Sequence, residues 1–168
     1  MRLAELNAME REAFVSVLGG VFEHSPWVAE RAFADRPFAS IGALHQAMVA
    51  AVDRAPEHEQ LALLRAHPEL AGKAAVRGEL THDSTKEQSG AGLAQCSPDE
   101  FALLTELNRR YNVKFGFPFI LAVKGYDRAG IIAQFARRVE QDRAAEFAEC
   151  KAQITRITRF RLDALVSL

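Results

Sequence analysis

The stretch His67 to Leu93, HPELAGKAAVRGELTHDSTKEQSGAGL, holds four polar residues suited to chemistry: His67, Ser84, Glu87 and Gln88. Pro68 disfavours the α conformation at the residue before it, so a helix stops at His67 and the imidazole sits on a stiff step. An imidazole titrates near neutral pH, and one held rigidly is placed for proton transfer. Ser84-Thr85-Lys86-Glu87 carries two readings. S-x-x-E is a capping box, in which Ser84 and Glu87 satisfy backbone donors. A helix N-terminus at the same place offers free N–H groups and a positive dipole end to an anionic ligand. Gln88 adds both a donor and an acceptor. Capping does not exclude function, so both readings stand. The five histidines show no HExxH or other zinc spacing, so no metal site is expected. Cys96 and Cys150 lack a CxxC pattern and read as free thiols of a reducing compartment.

Two further places stand out. On the last helix, at about 100° per residue, Arg161 falls within about 20° of Ile154 and inside the stripe that also carries Phe147, Cys150 and Ile157. Arg156, Arg159, Asp163 and Glu149 point the other way. A guanidinium on an apolar face costs several kcal/mol unless paired. Either it meets an internal carboxylate, or it faces a cavity and binds a carboxylate or imide of a ligand bidentately. Phe117-Pro118-Phe119-Ile120 is core packing in one reading. In the other, a proline-stiffened segment presents backbone N–H and C=O groups to a planar ring with alternating donors and acceptors.

The elements that must position these groups are helical. Asn7 with Glu10 reads as a capping box, followed by Phe14, Val17, Leu18, Val21 and Phe22 at helical spacing, with Gly19-Gly20 ending that helix. Ser25-Pro26 reads as N-cap and N1 of the next. Ser40 and Pro56 open two more. A short helical piece follows Pro68, with Gly72 and Gly78 as breaks. Ser97-Pro98-Asp99-Glu100 caps a long helix through Tyr111. Lys114 to Gly125 is expected as buried extended chain, and residues 127–140 and 142–166 return to helix. The expectation is one all-α domain over residues 1–168, with about eight or nine helices. With 21 basic and 22 acidic residues, the chain has no basic excess for nucleic acid. The apolar run FPFILAV is too short to span a bilayer. The N-terminal stretch mixes acids and bases, unlike a signal or transit peptide, and the tail is not Ser-Lys-Leu; a cytoplasmic protein is expected.

Taken together, HPELAGK, STKEQSGAGL, NVKFGFPFILAVKG and ITRITRFRLDALV, in this order, resemble the OHCU decarboxylases. These enzymes act on 2-oxo-4-hydroxy-4-carboxy-5-ureidoimidazoline in urate degradation. The resemblance covers nearly the whole chain, including LGGVFEHSPWVAERA. It implies an all-α fold, no metal or organic cofactor, often a homodimer, and a small ureidoimidazoline substrate. It makes His67 the catalytic histidine and Glu87 its acidic partner. Substrate contacts are implied at Pro68, Ser84 and Gln88, along the backbone of Phe119, Ile120, Leu121, Ala122 and Val123, and at Arg161. The product expected is (S)-allantoin. Two rivals are a metal-dependent ureide hydrolase of the same pathway and a non-enzymatic helical interaction module. The latter predicts an exposed apolar groove and an Arg161 that is simply paired.

Overall fold

The computed structural model describes residues 1–168. It contains ten α-helices and two 3₁₀ turns, and a single isolated bridge between Arg2 and Ser167 is its only β pairing. The all-α expectation holds, with one helix more than the expected range. The addition is α1 (Leu3–Ala8), which buries Leu3 and Leu6. Contacts divide the chain into two units, Met1–Ala66 with Thr155–Leu168, and His67–Ile154.

The first unit holds α1, α2 (Arg11–Leu18), α3 (Trp27–Ala32), α4 (Ile41–Asp53), α5 (Glu57–Ala66) and the end of α10 (Arg143–Leu165). Phe14, Leu18, Val28, Leu44, Met48, Leu63 and Leu64 form its apolar centre, each 1% exposed or less. Helix α2 stops at Gly19, where a Cβ would lie 2.6 Å from the Val15 carbonyl oxygen. Alanines 29 and 32 are buried on α3, and their small size allows α4 to pack closely against it. Ser40 caps α4, its Oγ accepting from the Ala43 amide at 3.0 Å. Two expected caps are corrected. Asn7 lies inside α1 and caps nothing. Its side chain instead pairs with the Phe38 backbone in both directions, accepting at 2.8 Å and donating at 2.9 Å. Ser25 is buried and donates its hydroxyl to the Glu23 carbonyl at 2.9 Å, so Pro26 takes the cap position of α3.

The second unit holds α6 (Lys73–Val76), α7 (His82–Gly90), α8 (Pro98–Phe115), α9 (Arg128–Arg138) and the start of α10. The capping box at the head of α8 is present: Ser97 Oγ accepts from the Glu100 amide at 3.1 Å, and Glu100 accepts from the Ser97 amide at 3.0 Å. Between α8 and α9, residues 117–123 are buried and form neither helix nor strand. Such a segment must find partners for its backbone outside any ladder.

Those partners come from α9 and α10. Arg138 and Glu146 are both completely buried and form an ion pair at 2.9 Å. Arg138 Nη1 donates to the Ile120 carbonyl at 2.6 Å, and its guanidinium lies 4.4 Å from the Phe119 ring centroid. Phe119 stacks on Phe135 with centroids 3.9 Å apart. Tyr111 donates its hydroxyl to Glu146 at 2.5 Å and lies 3.3 Å from Cys150 Sγ. Removing one member of such a pair leaves an uncompensated buried charge and costs roughly 3–5 kcal/mol.

Two predictions come from this packing. Asn7→Ala removes a donor and an acceptor from part-buried partners and should cost about 1–3 kcal/mol in urea unfolding. The second concerns alkaline pH. Burial pushes the Tyr111 hydroxyl and the Cys150 thiol up from their ordinary values of 10.0 and 9.0. The folded chain therefore keeps protons that the unfolded chain releases, and stability should fall as pH rises through 9 to 10 and beyond. Denaturation midpoints measured from pH 7 to 11 check this, and Cys150→Ala should weaken the decline at its lower end.

Candidate active site

His67 follows the last residue of α5 and is 7% exposed. The turn after it is held by side-chain amides. Gln88 donates to the Glu69 carbonyl at 3.2 Å and accepts from the Ala71 amide at 3.0 Å. Asn108, on α8, donates to the Leu70 carbonyl at 2.9 Å. Asn112, one turn further, donates to the Glu69 carboxylate at 2.7 Å. Ala71 has φ +50°, a conformation that a residue with a Cβ adopts at a cost of roughly 1–2 kcal/mol. At Gly72 a Cβ would lie 2.6 Å from the Glu69 Cβ. The turn that begins at His67-Pro68 is thus strained and pinned, a combination that concentrates at functional sites.

Helix α7 supplies the next residues, and its start differs from the expected one. Thr81 is the N-cap, its Oγ1 accepting from the Ser84 amide at 3.3 Å. Ser84 and Glu87 therefore lie inside the helix and do not form its capping box. The expected anion site on amides at Ser84 falls with that box, because the helix begins at His82. The correction moves both side chains into the helical register, where Ser84, Glu87 and Gln88 share one face. Ser84 is 3% exposed and Gln88 6%, while Glu87 is half-buried. Gln88 is committed to the 69–71 turn through one bond at each end of its amide. A second N–H and a second lone pair remain on it.

Phe119 to Val123 are all buried. Alternate residues are tied to the neighbouring helices: Ile120 by its carbonyl to Arg138, and Ala122 by its amide to Gln153 Oε1 at 2.9 Å. A trans peptide directs its C=O and N–H oppositely. The Leu121 N–H therefore points away from Arg138, and the Leu121 C=O points away from Gln153. Neither group has a partner within the chain, although Leu121 is only 4% exposed. A buried donor and acceptor on one residue match an amide or ureido edge of a ligand.

Arg161 belongs to the first unit. It is 7% exposed, as its place on the apolar stripe requires, and Nη1 donates to the Glu23 carboxylate at 2.7 Å and the Val21 carbonyl at 3.3 Å. One end of the guanidinium thus meets an internal carboxylate.

His67, Pro68, Ser84, Glu87, Gln88 and Phe119 to Val123 all fall within the second unit. Sequence reasoning missed Asn108, Arg138, Glu146 and Gln153. The signal that exposed Arg161 was available for each: Asn108 follows Leu104 by one turn on α8, Arg138 follows Phe135 on α9, and Glu146 and Gln153 flank Cys150 on α10. No group of three or more His, Cys, Asp or Glu side chains is placed to hold a metal ion. No helix is long and apolar enough to cross a membrane.

Comparison with known proteins places the chain in a family. Residues 7–163 match the family model described as OHCU decarboxylase. The 2-oxo-4-hydroxy-4-carboxy-5-ureidoimidazoline decarboxylase of Haloferax volcanii is 40% identical over 96% of this chain and 94% of that protein. A uric acid degradation bifunctional protein of Bacillus sp. (strain TB-90) is 40% identical over 98% of this chain, which spans only 32% of that longer protein. Among solved structures, (S)-allantoin synthase matches with a TM-score of 0.81 and 28% identity, over 99% of this chain and 54% of that one. With a match spanning nearly its whole length, the chain belongs to the OHCU decarboxylase family.

Proposed function

We propose that this chain decarboxylates 2-oxo-4-hydroxy-4-carboxy-5-ureidoimidazoline to (S)-allantoin without a cofactor. The family match over residues 7–163 is the observation that carries the reading. In the substrate, the carboxylate and a hydroxyl share a ring carbon beside a C=N bond. The bond to the carboxylate breaks, CO₂ leaves, and the electron pair passes into the adjoining C=N. The hydroxyl-bearing carbon becomes a carbonyl, and the ureido-bearing carbon takes a proton. One proton is taken up overall. The ring is its own electron sink, so the protein's task is orientation and delivery of the proton to one face.

His67 is the acid/base in this scheme, and the pinned turn after it supports that role because proton transfer needs a fixed donor. Glu87 orients His67 or the substrate hydroxyl. Ser84 and the remaining capacity of Gln88 hold the ring, with Pro68 limiting its position. The unpartnered N–H and C=O of Leu121 read its ureido or imide edge, within a backbone contact that runs from Phe119 to Val123. The resemblance also implies a substrate contact at Arg161, whose guanidinium Glu23 holds through the bond at 2.7 Å. The resemblance also supports a cytoplasmic homodimer.

The interaction-module rival draws on two observations. A groove of about 330 Å³ in the second unit is lined by residues including Ala75, Leu80, Leu93, Cys96 and Phe101, and Arg161 is paired. It leaves the buried, unpartnered Leu121 backbone without an account.

Purified protein added to fresh substrate should accelerate its loss and yield optically active allantoin, followed by polarimetry; no acceleration, or a racemate, would falsify the reading. His67→Asn should lower turnover by about 10²–10⁴-fold with the far-UV spectrum unchanged. Two hydroxyl deletions separate capping from chemistry. Thr81→Ala should cost about 1 kcal/mol of stability as a lost cap. Ser84→Ala should instead raise KM, and a Ser84 variant with wild-type kinetics would remove it from the site.

A further inference from the structure

We propose that Arg138 and Gln153 are positioning residues for the reaction, setting the backbone of Phe119 to Val123 so that Leu121 faces the substrate. The inference rests on the reading that this segment holds the ureidoimidazoline. Neither residue touches the face that the Leu121 groups present, and neither belongs to the motifs that carry the family resemblance in this segment.

The geometry has a period of two. Arg138 takes the Ile120 carbonyl at 2.6 Å and Gln153 takes the Ala122 amide at 2.9 Å. The two peptide planes that flank Leu121 are thereby each fixed at one end. Since each plane is rigid, fixing the Ile120 oxygen fixes the Leu121 N–H, and fixing the Ala122 nitrogen fixes the Leu121 carbonyl. Rotation of either plane would turn a buried donor or acceptor away from a ligand.

Each anchor is itself held. Glu149 accepts from Gln153 Nε2 at 2.8 Å, which commits the other end of that amide, its oxygen, to Ala122. Glu146 pairs with Arg138 at 2.9 Å, and Tyr111 donates to the same carboxylate. A fully buried ion pair is weak evidence for stability, because well-packed apolar residues of similar volume often serve the fold as well. Its use here is direction: an apolar residue at 138 would fill the space and leave the Ile120 carbonyl free to turn.

The test compares folded variants by circular dichroism, turnover, and calorimetric binding of (S)-allantoin. Wild type is measured first, because failure to convert substrate or bind product would sink the functional reading rather than this proposal. Given an active wild type, Gln153→Leu should raise KM and the product Kd at least tenfold, with kcat reduced less. The double variant Arg138→Met/Glu146→Leu removes both charges together and should do the same, while Arg138→Lys should fall between it and wild type. A merely structural role would lower the melting temperature and leave KM, kcat and product affinity of the folded protein at wild-type values, and that result would overturn the proposal. Should the double variant not fold, Gln153→Leu decides alone.

Discussion

The ion pair between Arg138 and Glu146 is the constraint on which much of the second unit turns. Both side chains are completely buried. Glu146 is satisfied there because it receives Arg138 and the Tyr111 hydroxyl, and Arg138 because its donors reach Glu146, the Ile120 carbonyl and Cys150 Sγ. Three elements meet at this one carboxylate: α8 through Tyr111, α9 through Arg138, and α10 through Glu146 itself. Leaving any donor unmade would strand a polar group in apolar surroundings, so the network specifies one arrangement of these helices more sharply than apolar packing alone. The aromatic set of Tyr111, Phe119 and Phe135 closes around it, with Phe119 between the guanidinium and the Phe135 ring.

The same device recurs at the His67 turn with neutral groups. Residues 69 to 71 form no helix or strand, so their backbone groups depend on side chains. Gln88 on α7 supplies two of these contacts and Asn108 on α8 a third, while Asn112 holds the Glu69 side chain. Irregular backbone is thereby held as firmly as a helix, and the positive φ at Ala71 is retained because several bonds overdetermine it. In both places regular helices carry polar side chains that hold a non-helical segment implied at the substrate. A helix satisfies its own backbone, so its buried side chains are available to hold something else.

Much of this is legible in the sequence, and the failures have two causes, competing caps and partners distant in the chain. Apolar spacing located α4, α8, α9 and α10, where caps such as Ser40 and Ser97 stand alone before a periodic run. It misplaced helix starts where two cap-forming residues compete. At Thr81 and Ser84 the earlier residue wins, since it lets His82 and Asp83 join the helix and brings Ser84 onto the buried face. Asn7 was misread because its partner, the Phe38 backbone, is distant in sequence, and no local pattern distinguishes a cap from a long-range bridge. Arg161 was correctly placed on a buried face, but its carboxylate could not be named, because Glu23 lies in a turn without periodicity. The family motifs point to residues implied at the substrate and pass over Asn108, Arg138 and Gln153, which hydrogen-bond the backbone of those segments.

That omission has a physical reason. A residue that contacts substrate is constrained in type by the substrate, and its neighbours are constrained by the turn or segment that presents it, so a compact motif results. A residue that holds a carbonyl or an amide is constrained only to supply one donor or acceptor at one point, from whichever helix passes there. Its signature in sequence is a single polar residue on an otherwise apolar stripe, as at Arg138 beside Phe135 and Gln153 beside Ile154. The residues on which the implied site depends are polar and buried on three helices: Asn108 on α8, Arg138 on α9 and Gln153 on α10. Burial of a polar side chain at helical register is thus as informative about function as the motif itself, because a polar group is retained in an apolar face only where another group requires it.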